Sequence, residues 1–365
     1  MRALKSNILI VTSEFPPQPG GIGNHAYNLA LHLNNSGHNV IVIADQRSKT
    51  GAEEASFDTT LPFSVERITL YNLRFVMYLK RVLLTFKCMR NATHCIATGK
   101  FSLWNVAFCR FFIKIKTIAV VHGTEVNFKS SILKKSIDFS LKRFDKIVAV
   151  SNYTNSLITH LNASNVVIPN GITISEWENS KEKIELKGEP ALTTVGRVSS
   201  RKGQLNVIKQ LPELIKKFPK LHYHCVGIPT EANNFIKIAK SLGVKSYVTF
   251  HGSVDDDKLK QSLEATDIFV MLSSESVTGD VEGFGIAILE ANAMGIPAIG
   301  ARGCGIEDAI KNGSSGILID VNDTSAFIDG ISRILQDSAI FKTESIMWAN
   351  KHDWSHIIKR YESLM

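Results

Sequence analysis

The 365-residue chain is 44% hydrophobic and 21% charged, with a formal net charge of +8. That is ordinary globular composition and excludes disordered or fibrous proteins. Five scattered cysteines without a CxxC pair or zinc spacing exclude a disulfide scaffold and read as reduced thiols of a cytosolic protein. No run approaches the roughly 18 uncharged residues of a membrane span, and the length suggests two domains.

The charge is uneven. Residues 1–172 hold 20 Lys and Arg against 9 Asp and Glu, whereas residues 173–365 hold 22 against 25. Between Glu66 and Glu125 there is no acid, while Arg67, Arg74, Lys80, Arg81, Lys87, Arg90, Lys100, Arg110, Lys114 and Lys116 all fall there. The first half is expected to meet an anionic partner.

In chain order, "NILIVT" is too short for a signal-peptide core and reads as a first buried strand. "EFPPQPGG" is a loop, because its three prolines forbid regular structure. "IGNHAYNLALHLNNSG" has helical apolar spacing and stops at Gly37. "NVIVIA", "TIAVVHG", "KIVAVS" and "VVIPNG" are further strands of the first half. A second α/β unit runs through "ALTTVGR", "LHYHCVG", "YVTFHG", "DIFVML", "PAIGA" and "GILID", with helices between. Continuous apolar strands alternating with helices predict two doubly wound parallel sheets, joined near residues 170–190, and a helical C-terminal segment. Ligands of such sheets bind beyond the strand C-terminal ends, so chemistry is expected in the loops 14–23, 122–125, 196–203, 251–254 and 273–285.

Within those loops, "VGRVSSRKG" places Arg197 just past a strand and Lys202 before a helix. The pair reads either as a diphosphate clamp, with a planar fork and a point charge, or as a solvated basic turn. In "GDVEGFGIAILEANAMGIP", Gly283 and Gly285 permit close backbone approach at a helix N-terminus that suits phosphate. Glu282 and Glu290 lie eight positions apart, and Glu290 stands among apolar residues, where a lone acid needs a partner; a ligand hydroxyl pair is one, ordinary helix decoration the other reading. His122 follows a strand directly, as a cleft residue or a satisfied edge histidine. Gly21-x-Gly23-x-x-Ala26 with Asp45 formally matches a dinucleotide fingerprint, but the proline-rich spacer contradicts the tight turn that fingerprint needs. The run Asp255–Asp257 is read as helix capping rather than a metal site, and no metal is expected. In residues 72–90, Phe75, Leu79, Val82, Phe86 and Met89 form a stripe expected to pack inward. Val76, Leu83 and Leu84, mixed with Arg74, Lys80 and Lys87, form an outer face suited to an anionic membrane. Nucleic acid is not expected, because no recognition motif is present.

Together, "EFPPQPGGIGNHAYNLA", the "HG" after a strand, "VIPNGI", "GRVSSRKG", the Glu-x7-Glu element and the closing "WSHIIKRY" resemble the retaining, GT-B-type glycosyltransferases of the family 4 group. That group includes mannosyl- and glucosyltransferases of envelope glycan or glycolipid synthesis, and the resemblance covers nearly the whole chain. It implies two Rossmann-like domains facing across a cleft: an acceptor domain over 1–172, a nucleotide-sugar domain over 173–345, and a C-terminal helix, 346–365, packed back on the first. Arg197 and Lys202 would clamp the donor diphosphate, and Glu290 would bind the ribose. Glu282 would hold the donor sugar, with the amides of Gly283, Phe284, Gly285 and Ile286 near sugar and phosphate. Gly20 and Gly21 would cover the diphosphate, His122 would lie near the reacting sugar, and base contacts are expected around Ser253 and Val254. The implied reaction is metal-independent front-face transfer from a UDP- or GDP-linked sugar to a saccharide or lipid-linked acceptor with no cofactor, and the basic outer face of residues 72–90 adds the expectation of a cytoplasmic protein peripheral on the inner face of the cytoplasmic membrane. A sugar-nucleotide 2-epimerase of the same fold and a catalytically silent partner subunit are the alternatives.

Overall fold

A computed structural model describes residues 5–177, 182–276 and 279–365. It separates into two compact units, residues 1–170 with 354–365, and residues 171–353. Residues 178–181 of the expected linker lie outside the described residues.

The first unit alternates strand and helix: β1 (Asn7–Thr12), α1 (Gly21–Asn35), β2 (Asn39–Asp45), α2 (Ala52–Asp58), β3 (Ser64–Ile68), α3 (Arg74–Met89), β4 (His94–Thr98), α4 (Lys100–Cys109), β5 (Lys116–Val121), α5 (Ser131–Leu141), β6 (Lys146–Ala149), α6 (Asn152–Ser156) and β7 (Asn165–Val167). Its seven strands are all parallel in the order β3-β2-β1-β4-β5-β6-β7. The central strands bury nearly every side chain, as a sheet covered on both faces requires. β3 and β4 escape the sequence reading. β3, "SVERI", is an edge strand with charged residues, and β4, "HCIAT", is a five-residue run opened by a histidine.

The second unit has β8 (Ala191–Val195), α7 (Gln204–Lys217), β9 (His222–Val226), α8 (Ala232–Ser241), β10 (Val248–Gly252), α9 (Asp256–Glu264), β11 (Ile268–Met271), α10 (Ile286–Ala293), β12 (Ala298–Ala301), α11 (Ile306–Ala309), β13 (Gly316–Ile319), α12 (Thr324–Gln336) and α13 (Ser338–Lys351). Its six parallel strands run β10-β9-β8-β11-β12-β13. The last helix, α14 (Trp354–Glu362), belongs to the first unit, where it packs on α1. The expected single helix over 346–365 is therefore two. They break at His352–Asp353, where the chain pairs with Ile172 and the Asp353 carboxylate accepts the Ile174 N–H at 3.1 Å. Residues 346–353 stay with the second unit.

One helix turns differently from its apolar pattern. Phe75 and Leu79 of α3, expected inward, are exposed, and Leu84, expected outward, packs on the core with Met77, whereas Val82, Phe86 and Met89 face inward and Leu83 outward as expected. Polar anchors set this rotation. Buried Arg81 pairs with Asp45 (Nε–Oδ1 3.2 Å), and Thr85 accepts from Asn105 at 2.7 Å. The same ion pair occupies Asp45, the acid of the formal dinucleotide fingerprint.

Candidate functional site

In an open parallel sheet, ligands bind where two neighbouring strands send their connections to opposite sides. In the second unit that place lies between β8 and β11, and in the first between β1 and β4. The loop after β8 carries Arg197 and Lys202, and the chain after β11 leads to Glu282.

The β8 loop is held by its own residues. Buried Gln204 accepts the Ser199 N–H at 3.2 Å and donates to the Arg197 carbonyl at 3.2 Å. A 3-10 turn over Ser200–Lys202 ends at Gly203, whose φ of 83° is left-handed. A Cβ there would lie 2.1 Å from the Leu272 carbonyl carbon, so only glycine lets this turn press on the end of β11. Asn206 ties α7 to the same carbonyl at 2.8 Å.

That approach brings Lys202 and Arg201 to Glu282. Lys202 Nζ lies 2.7 Å and Arg201 Nη1 2.6 Å from the same oxygen, Oε2. Burial would raise the Glu282 pKa, but the charges and hydrogen bonds of Lys202 and Arg201 outweigh it and hold the carboxyl below its ordinary value. Arg201 was not singled out in the sequence; its only signal was a place beside Lys202. Arg197 is exposed on the same loop. The expected clamp partners thus differ in setting: Lys202 is paired with Glu282, and Arg197 stands in solvent.

Gly283 and buried Phe284 lead to Gly285, left-handed at φ 91°, which caps α10 so that Ile286 is its first residue. Glu290 lies on the fifth residue of that helix and is half-buried. Burial pushes its carboxyl up to about 7; Lys202 pulls it down, while Glu176 and Asp256 push it up. Ser253 and Val254 follow β10, two strands from β8. The Asp255 side chain accepts the Lys258 N–H at 2.8 Å, capping α9.

The first unit has a different cluster. Gly20 caps α1 and Gly21 is its first residue, so the glycine loop is also a helix start. His122, half-buried after β5, shares a 2.8 Å hydrogen bond between its Nε2 and Thr98 Oγ1. Burial pushes its pKa down to about 4. Its backbone N–H donates to Glu125 Oε1 at 2.7 Å. Glu125 is buried, Oε2 has no partner, and desolvation raises its pKa to about 7. The ring of His25 lies edge-on to His122, centroids 4.9 Å apart, and His25 Nε2 is 3.1 Å from Tyr361 Oη of α14. Sequence reading named neither Glu125 nor His25, although the loop "VVHGTE" was marked for chemistry.

Comparison with known proteins agrees with this organisation. The family model described as Glycosyltransferase Family 4 matches residues 19–176, and that described as Glycosyl transferases group 1 matches residues 175–352. The chain is 26% identical over 353 residues to the GDP-mannose-dependent alpha-(1-6)-phosphatidylinositol monomannoside mannosyltransferase of Mycobacterium tuberculosis, covering 91% of this chain and 90% of that one. It is 23% identical to the glycogen synthase of the same organism, over 91% and 86% of the two chains. In fold it is similar to Anabaena Alr3699/HepE, solved in complex with UDP and glucose (TM-score 0.79, 19% identity, 98% of each chain), and to the sucrose-phosphate synthase of Thermosynechococcus elongatus (TM-score 0.79, 17% identity, 99% and 98%). With adjoining family models spanning residues 19–352 and two Rossmann-like parallel sheets beneath them, the chain belongs to the GT-B glycosyltransferases of family 4 and is a hexosyltransferase using a nucleotide sugar.

Proposed function

We propose that this enzyme moves a hexosyl group from a UDP- or GDP-linked sugar to a saccharide or lipid-linked acceptor of envelope polysaccharide or glycolipid synthesis, with retention and without a metal. The observation that carries the donor assignment is the Lys202–Glu282–Arg201 group at the β8/β11 switch point. Lys202 and Arg197 supply charge for a departing diphosphate, joined by the amides of Gly283 to Ile286 at the α10 N-terminus. Glu282, held ionised between two cations, accepts from sugar hydroxyls, and Glu290 accepts from the ribose. As the bond from the anomeric carbon to the diphosphate breaks, the acceptor oxygen attacks the same face and passes its proton to the leaving phosphate. His122, neutral at pH 7 in its buried setting, serves as a hydrogen-bonding group rather than a cation. Support for a lipid-linked acceptor comes from the mycobacterial relative, a phosphatidylinositol monomannoside mannosyltransferase.

Among the described residues no helix is long and apolar enough to cross a membrane. The outer face of α3, with Phe75 75% and Leu83 58% exposed beside Lys80 and Lys87, suits an anionic membrane surface, and we assign docking there on the inner face of the cytoplasmic membrane. Incubation with UDP-, GDP- and ADP-sugars, with and without EDTA, tests the chemistry. One donor is expected to be slowly hydrolysed at an unchanged rate in EDTA, and an acceptor product should keep the donor's anomeric configuration. Failure with every donor overturns the reading. Co-sedimentation with anionic liposomes at low salt tests docking.

A further inference from the structure

The first unit carries a second marked surface at the other end of its sheet, where the strands begin. α4 and α5 begin near the strand C-terminal ends and return to the starts of β5 and β6, so their last turns lie opposite His122 and the Gly20 loop. There a cavity of about 340 Å³ is lined by Arg110, Lys114, Lys142 and Arg143. A neighbouring cavity of about 450 Å³ shares Arg143 and is walled by Trp104, Phe108, Phe111 and Phe139.

The charges are not cancelled locally. Arg110 is held by Asp145 (2.9 Å) and the Ile115 carbonyl (2.7 Å), and Asp138 of α5 pairs with His160 (2.9 Å). Lys114, Lys142 and Arg143 therefore supply the charge of the recess. The Arg143 guanidinium stacks 3.3 Å from the Phe111 ring centre, and both Arg143 Nε and Trp104 Nε1 are buried N–H donors without a partner. Phe112, 66% exposed, meets Phe86 of α3 edge-on at 6.2 Å, so this apolar patch is continuous with the proposed docking helix.

An apolar groove and a cationic recess sharing one arginine fit an amphiphile. A free phosphate would use only the recess, and a polynucleotide would leave the phenylalanines bare. We propose that this surface holds one anionic phospholipid, its phosphodiester among Lys114, Lys142 and Arg143 and an acyl chain along Trp104, Phe111 and Phe139. The site rests on the membrane-surface reading and deepens it. Lying at the opposite end of the strands from His122, it holds a lipid that is not the acceptor.

The test is calorimetric titration of the full chain with dihexanoyl phosphatidylglycerol as monomers, beside dihexanoyl phosphatidylcholine and inorganic phosphate. Saturable one-to-one binding of the anionic lipid is expected, with a Lys114→Gln/Lys142→Gln variant about thirtyfold weaker and unchanged in donor hydrolysis. Equal binding of both lipids, phosphate binding as tight as lipid, or no effect of the double substitution overturns the site. Anionic vesicles that fail to bind while the monomeric lipid saturates would overturn the membrane-surface reading and leave the recess standing; vesicle binding without monomer binding would do the reverse.

Discussion

Glu125 of the first unit and Glu282 of the second are both buried carboxylates following strand ends, yet they reach opposite states. Glu125 receives backbone N–H groups, of His122 and its own residue, and only the more distant charge of Lys100, so desolvation wins and its pKa rises to about 7. Glu282 has Lys202 and Arg201 on a single oxygen, so charge wins and its pKa falls. Burial sets the cost of ionisation; direct cation contacts decide whether the cost is met. The first unit thus sets groups held close to neutrality after its strands, and the second an ion-paired cluster of fixed charge.

The sharpest way to break that comparison is the same swap at both positions. Glu282→Gln is expected to lower kcat by roughly 10²–10³, the loss typical of one preorganised electrostatic group. It should also destabilise at pH 7–8, because a depressed carboxyl contributes stability above its unfolded pKa that the amide lacks. Glu125→Gln should do the reverse to stability. The folded protein holds this proton until about pH 7 against 4.5 for the ordinary carboxyl, so wild-type stability falls as pH rises between those values. The amide removes that loss and should be more stable at pH 8 by up to about 3 kcal/mol, with the gain vanishing below about pH 4.5. Tm measured against pH for both variants decides it; shifts of the same sign would end the contrast.

Glu290 shows that the rule follows contacts, not the unit. It shares the second unit with Glu282 yet titrates near 7 by the same burial. Its ionised form is the stronger acceptor for ribose hydroxyls, so the donor KM should fall as pH rises from 6 to 8. Glu290→Ala should raise KM about tenfold with kcat little changed. A kcat effect as large as that of Glu282→Gln would mean the two acids grip the same part of the donor.

The sequence carried the frame of both units because buried parallel strands are continuous apolar runs, and all six strands of the second were legible. What escaped was decided by polar contacts between distant segments. The face of α3 is set by Arg81 reaching Asp45 and Thr85 meeting Asn105, which apolar spacing does not register. Lys202 and Glu282 were each visible as candidates. Their pairing depends on Gly203 letting one turn press on β11, and the share of Arg201 on side-chain direction alone. Glu125 ends a loop where chemistry is expected, but its marked property, the lack of a partner for Oε2, is not written in the sequence.

The smallest expected effect probes how the neutral cluster of the first unit is braced. Tyr361 of α14 is fully buried, and its hydroxyl meets His25 Nε2 at 3.1 Å, while the His25 ring abuts His122. Burial, then the neighbouring His122, holds the His25 pKa well below its ordinary value. A lowered histidine binds fewer protons folded than unfolded, so its stability contribution is present above about pH 6.5 and lost as pH falls. Tyr361→Phe removes one hydrogen bond without creating a void and should cost about 1 kcal/mol at pH 7. If His122 acts only through its own contact with Thr98, kcat for transfer stays within about twofold. A drop comparable to that of Glu282→Gln would show instead that the C-terminal helix sets the His122 ring, making the first site as dependent on a fixed geometry as the second is on its charges.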